Sequence, residues 1–178
     1  MTDSPRTDNA DVRAAQRHRE SFAPLYERYA DVVYGYCLRR LNDPELAADT
    51  TADVFTRAIA TIGSFRGDSF RSWLFTIARN AVIDRYRARR PVGTLPDSLV
   101  SPHQGPEEIV LQRETGMELR SALTRLTDQQ QDVITLRLAG LSGKEIAAAM
   151  NISHGAVKAT QARAFARLRE LMGQEAGR

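Results

Sequence analysis

From position 21 onward, apolar residues recur at three- and four-residue steps: Phe22, Leu25, Tyr26, Tyr29, Val32, Val33, Tyr36, Cys37 and Leu41. That spacing lines one face of a helix, not of a strand. Asn42-Asp43-Pro44 ends this helix and starts the next. Asp43 can cap it, and Pro44 suits a first helical position, where the missing N–H had no partner anyway. A second stripe follows through Ala47, Thr51, Val54, Phe55, Ala58 and Ile62. The stretch 63–67 is a loop, and Asp68 or Ser69 caps a third helix through Phe70, Trp73, Leu74, Ile77, Ala78, Ala81 and Val82. That helix ends at Arg90, because Pro91 disfavours helix at the residue before it.

Positions 91–106 carry four prolines and two glycines with no apolar period, which predicts a flexible linker. Helical patterning returns over 108–126. Thr127-Asp128-Gln129-Gln130 and Ser142-Gly143-Lys144-Glu145 both match the capping box, in which the first side chain and the fourth satisfy each other's backbone N–H. A short helix over 145–150, a turn at Asn151-Ile152-Ser153 and a long helix over 154–171 make a helix-turn-helix. Asn151 stands where the chain must turn with positive φ, which Asn tolerates well. Ile146, Ile152 and Val157 pack inside the turn, and Ala147 sits where two helices cross. No segment reads as a strand. The pattern predicts an all-α fold: two small helical domains joined by a flexible linker, the C-terminal one a helix-turn-helix. The boundaries fall at 1–18 for a flexible N-terminal extension, 19–90, 91–107 for the linker, and 108–173.

Composition narrows the function classes. Of 178 residues, 42% are hydrophobic and 26% charged, the range of globular proteins. No apolar run approaches the roughly 18 residues of a membrane span. The first twenty residues lack the apolar core of a signal peptide, so a cytoplasmic protein without membrane insertion is expected. Cys37 is the single cysteine; it cannot form an intramolecular disulfide, and it reads as a small buried side chain. His18, His103 and His154 have no ligand spacing, so no metal, cofactor or catalytic set is expected. The net charge is only +3, and the placement of the arginines has to carry any nucleic-acid argument.

Two placements do so. On the helix after Asn151, Val157, Ala164, Leu168 and Leu171 fall on the inward face. The other face offers His154, Gly155, Lys158, Ala159 and Ala162, flanked by Arg163 and Arg167. Small or polar residues at the start of such a helix can enter the major groove while cations beside them hold phosphates. The second placement is at the end of the third helix, where Arg79, Arg85, Arg87, Arg89 and Arg90 follow Phe65, Phe70, Trp73 and Phe75. Arginines beside aromatics suit single-strand binding, although Phe70, Trp73 and Ile77 also fit a core.

The run Phe70-Arg71-Ser72-Trp73-Leu74-Phe75-Thr76-Ile77-Ala78-Arg79-Asn80-Ala81-Val82-Ile83-Asp84-Arg85-Tyr86-Arg87, joined by a Pro-rich linker to the helix-turn-helix, resembles the sigma-70 family, specifically its extracytoplasmic-function group. The resemblance spans about 21–171. It implies a promoter-directing subunit of RNA polymerase, with core polymerase (clamp and flap) and promoter DNA as partners and an anti-sigma factor as a further one. It assigns minus-ten recognition to Phe65, Arg66, Arg79, Asn80, Asp84 and Arg87, with Phe65 and Arg66 in a loop that receives a flipped base. Minus-thirty-five recognition falls to His154, Gly155, Lys158, Ala159, Ala162, Arg163 and Arg167. Clamp binding falls to the helix carrying Asp49, Asp53, Phe55 and Arg57. The chain departs from the group at Thr51-Ala52-Asp53, where a Gln or similar polar residue usually precedes the acid, and at Asn151, where Gly is usual. Thr76-Ile77 stands where housekeeping members carry a tryptophan pair, which implies weaker strand separation. The competing reading is a stand-alone helix-turn-helix regulator with a helical N-terminal sensor domain.

Overall fold

The computed structural model describes residues 5–89 and 121–175, and its regular structure there is entirely helical. Helix α1 spans Pro5–Arg17. A 3-10 turn over Arg19–Phe22 leads into α2, Ala23–Leu41. Helix α3 is Pro44–Thr61, followed by a 3-10 turn Ile62–Ser64 and by α4, Phe70–Arg89. In the C-terminal part, 121–124 are helical, followed by α5 (Asp128–Leu138), α6 (Gly143–Met150) and α7 (His154–Glu175). The expected linker and the helical start at 108 lie outside the described residues.

The local signals act as their chemistry predicts. Asn42 closes α2 in the left-handed region at φ 51°, and its N–H bonds Leu38 O. The Asp43 side chain accepts from Leu46 N at 3.0 Å, with Pro44 at the first position of α3. Ser69, rather than Asp68, takes an α4 amide, that of Ser72. Both capping boxes form, Thr127 with Gln130 and Ser142 with Glu145.

Phe70 is the hub of the N-terminal core, with its ring centroid 5.6–6.2 Å from those of Phe22, Tyr29, Phe65 and Trp73. Edge and tilted ring pairs of this kind contribute about 0.5–1.5 kcal/mol each beyond the area they bury. Cys37 is buried, and that burial pushes its thiol up to about 11. The C-terminal part has an apolar cluster of its own, made by Ala122, Leu126, Ile134, Ala164, Leu168 and Leu171. A second, larger cluster runs without a break from Val12 through the first domain to Leu136, Ile146 and Val157. The two helical units are therefore docked, α5 on α2 and α6 on α4.

The N-terminal segment differs from expectation. Positions 1–18 were expected to be a flexible extension, yet α1 lies against the first domain with Val12 and Ala15 buried. Two small apolar residues give little periodic signal. Polar contacts distant in sequence add to the docking: Arg28 pairs with Asp8 and Asp11, both at 2.8 Å, and the Tyr29 hydroxyl donates to Asp8. Burial, and then the Asp8 carboxylate, raise the Tyr29 pKa well above its ordinary value.

Candidate nucleic-acid interface

Helix α4 brings Asn80, Asp84 and Arg87 to one exposed face, since steps of four and three residues fall on the same side. Arg79 borders this face, half-buried, and its Nε donates to Asp132 of α5 at 2.7 Å. Asp84 pairs with Arg57 of α3 at 3.4 Å, and Arg85 forms an ion pair with Asp53 of the same helix. Asp53 and Arg57, expected on a polymerase-facing helix, therefore also brace α4. Asp49 is exposed. Phe55 is 3% exposed and packs on Phe22 and Tyr26, so its contribution is to the shape of α3 and not to its outer face.

Between α3 and α4, the Phe65 ring is turned into the core, its centroid 5.3 Å from that of Trp73. A Cβ on Gly67 would lie 2.9 Å from Phe65 Cε2, so glycine lets the chain cross over the ring. Arg66 is exposed and folds back to donate to the carbonyls of Gly63 and Phe65, both at 2.8 Å.

Helix α7 presents His154, Gly155, Lys158, Ala159, Ala162, Arg163 and Arg167 on exposed positions, while Val157, Thr160, Ala164, Leu168 and Leu171 are buried. Arg163 donates to Thr160 Oγ1, and Arg167 pairs with Glu170 at 3.0 Å. The turn before the helix is held by Asn151 at φ 53° and by Ser153 Oγ, which accepts from Ala156 N. The stage is a short α6, a tight turn and a long helix with a cationic outer face, the arrangement that places a helix in the major groove.

The two units meet at charged residues, among which the sequence singled out Arg79 and Glu145 for other roles but not Arg40 or Asp132. Asp132, 2% exposed, lies 3.1 Å from Arg40 Nε and 2.7 Å from Arg79 Nε. Arg40, 4% exposed, also donates to Gln131, stacks over the Tyr86 ring at 5.4 Å, and offers its carbonyl to the Tyr86 hydroxyl. Burial is the largest single influence and works against the Arg40 charge, but Asp132, Tyr36, Tyr86 and Asp128 together outweigh it and hold the guanidinium above its ordinary pKa. Arg71 Nη2 donates to Ala139 O at 2.7 Å, beside Gly140 at φ +84°, and Ser69 Oγ donates to Glu145 at 3.1 Å. Nothing in the local pattern marks these partners: Arg79 and Asp132 are 53 positions apart.

Two family models match the chain: Sigma-70 region 2 over residues 25–92, and Sigma-70, region 4 over residues 116–168. The chain is similar to the ECF RNA polymerase sigma factor BldN of Streptomyces coelicolor, 37% identical over 98% of this chain and 69% of that protein. It is also similar to the RNA polymerase sigma factor YlaC of Bacillus subtilis, 34% identical over 88% of this chain and 94% of that one. Among solved structures, CnrH in complex with the cytosolic domain of CnrY shares the fold at a TM-score of 0.73 and 27% identity, covering 94% of this chain and 97% of that one. RpoE in complex with the anti-sigma factor NepR from Bartonella quintana reaches a TM-score of 0.66 at 24% identity, covering 86% of this chain and 98% of that one, a likeness of fold.

Proposed function

The chain belongs to the sigma-70 family, in its extracytoplasmic-function group, and from that premise we propose how its two helical units share the work of a promoter-directing sigma factor. The first unit, 19–90, binds core polymerase through α3, with Asp49, Asp53 and Arg57 outward, and takes the minus-ten element on Arg79, Asn80, Asp84 and Arg87. The loop at Phe65 and Arg66 receives an unstacked base. The second unit, 108–173, reads the minus-thirty-five element through α7. The carrying observation is that one chain holds both a helix-turn-helix with an exposed cationic reading face and a separate polar and cationic face on α4. The first suits duplex, where phosphate contacts fix register and base edges specify. The second suits bases out of the stack, which cost a few kcal/mol to extrude and must be repaid by contacts.

The docked arrangement adds a condition. Arg79 is held by Asp132, so the second unit has to leave α4 before Arg79 reaches DNA. CnrH and RpoE were each solved with a protein partner, CnrY and the anti-sigma factor NepR, and a partner of that class is proposed here. No helix among the described residues is long and apolar enough to cross a membrane, and work in the bacterial cytoplasm beside polymerase is proposed with it. The chain's part is binding and positioning; the phosphoryl chemistry is the polymerase's.

Run-off transcription on genomic fragments tests the reading. Core polymerase with the purified chain initiates at discrete sites that core polymerase alone does not use. Equal initiation with and without the chain refutes the reading, and would favour the stand-alone regulator.

A further inference from the structure

Helix α1 precedes the stretch matched as region 2, and its two faces do different things. Asp8, Asp11, Val12 and Ala15 repeat at steps of three, one and three residues and fix the helix to the domain: the two acids on Arg28, Asp8 also on Tyr29, and the two apolar residues in the core. Asn9, Arg13 and Gln16, spaced by four and three residues, form a second stripe. That stripe lines an open pocket of about 450 Å³ whose other wall is the loop Phe65, Arg66, Gly67 and Asp68.

The shared wall is braced from α1. Gln16 Nε2 donates to Phe65 O at 2.9 Å and to Ile62 O at 3.2 Å, bridging the start and the end of the 3-10 turn that sets the loop. The Phe65 ring is pinned from behind by Phe70 and Trp73. Asn9 and Arg13 are exposed and make no hydrogen bond among the described residues, so neither is needed to hold the helix in place. The pocket thus has a fixed loop on one side. On the other stand an amide and a guanidinium with free hydrogen-bonding capacity, and Asp68 supplies a carboxylate acceptor.

We propose that α1 forms the second wall of a nucleobase pocket, in which Asn9 and Arg13 contact one unpaired DNA base and its flanking phosphate while Gln16 positions the loop. The proposal rests on the reading of this loop as the receiver of an unstacked base and extends it to a helix outside the matched region. An amide can pair with two atoms on a base edge, and a guanidinium can take either a base edge or a phosphate. The few apolar atoms left exposed by the buried Phe65 ring make edge hydrogen bonding, rather than stacking, the source of selectivity. Gln16 is a positioning residue, since its amide N–H groups are already directed at loop carbonyls.

The test uses holoenzyme assembled from core polymerase and the full chain, after run-off transcription has located a promoter. The probe is the non-template minus-ten single strand of that promoter, with each position in turn replaced by an abasic sugar. Wild-type holoenzyme loses about tenfold in affinity at one position, the size of a good base contact. In the Asn9→Ala/Arg13→Ala double variant the natural strand binds about tenfold more weakly and the abasic penalty at that position disappears, with penalties elsewhere unchanged. Gln16→Ala flattens the preference among the four bases at that same position, whereas loss of fold weakens every probe alike. If the double variant keeps the full abasic penalty, α1 is not part of the pocket. If wild-type holoenzyme gives no promoter-specific initiation, the sigma-factor reading itself has failed and the pocket falls with it.

Discussion

Replacing Asp132 by Asn keeps the side chain's shape and removes one charge from the centre of the contact between the two units. The carboxylate is 2% exposed and is shared by Arg79 and by Arg40, itself 4% exposed. Breaking a buried ion pair from one side costs about 3–5 kcal/mol, because the remaining charge stays in low dielectric without compensation. The other polar contacts between the units, Arg40 to Gln131, Arg71 to Ala139 O and Ser69 to Glu145, each involve a charged group and contribute about 1.5–3 kcal/mol, and the substitution removes none of them. The apolar cluster shared across the contact, which includes Leu136, Ile146 and Val157, opposes undocking in wild type and variant alike, so the lost ion pair enters the docked-to-open ratio directly, while the second unit keeps a cluster of its own around Leu126, Ile134 and Leu168. About 3 kcal/mol shifts the docked-to-open ratio by more than a hundredfold, at 1.36 kcal/mol for each factor of ten. The assay is energy transfer between dyes at exposed Glu45 on α3 and exposed Arg169 on α7, paired with binding of a minus-ten single strand to the free chain. Asp132→Asn is expected to lengthen the mean distance and tighten single-strand binding, because Arg79 is released. An unchanged distance distribution together with unchanged affinity would show that the ion cluster does not hold the units together.

Other expectations are more local. Lys158→Ala should weaken duplex binding and reduce the salt slope by about one, the value for one lost phosphate contact; an unaltered slope removes Lys158 from the interface. Asn151 sits at φ 53°, so Asn151→Val should cost about 1–2 kcal/mol in denaturant unfolding, with Asn151→Gly nearly neutral; equal losses for the two would refute the backbone argument. Burial raises the Cys37 pKa from 9.0 to about 11. Above pH 9 the unfolded thiol ionises while the folded one stays protonated, so stability is full below pH 9. It falls by about 1.4 kcal/mol per pH unit up to about pH 11. Cys37→Ala should remove that component from the difference curve.

How much was legible depended on the range of the physics. Asp43, the boxes at Thr127 and Ser142, and Asn151 act on backbone within four residues, so the sequence contains both partners side by side. The stripes of α2 and α3 pointed to their buried faces, apart from Tyr26, which is 49% exposed and packs edge-on against Phe55, and from the half-buried Val32 and Thr51, the latter beside the fully buried Thr50. Phe65 and Phe55 show the limit: an aromatic in a functional segment can serve the core, and a motif does not say which way a ring turns. The segment that forms α1 reads as a flexible extension, because its docking relies on Arg28 and Tyr29 meeting Asp8 and Asp11 in space. The Arg40–Asp132–Arg79 cluster was invisible for the same reason, since charge complementarity across domains leaves no period in the chain.

The crossed pairs Asp53–Arg85 and Arg57–Asp84 have a consequence of their own. Each joins a residue of α3, the helix proposed to hold polymerase, to one of α4, the helix proposed to take the unpaired strand, so a change at either surface reaches the other through a pair worth up to about 1 kcal/mol. A partner that claims Arg57 sets Asp84 loose, and one that claims Asp53 does the same for Arg85. Under the proposed roles, attachment to polymerase and the charge offered to DNA are linked through these two pairs, and a substitution at one end changes the charge balance at the other.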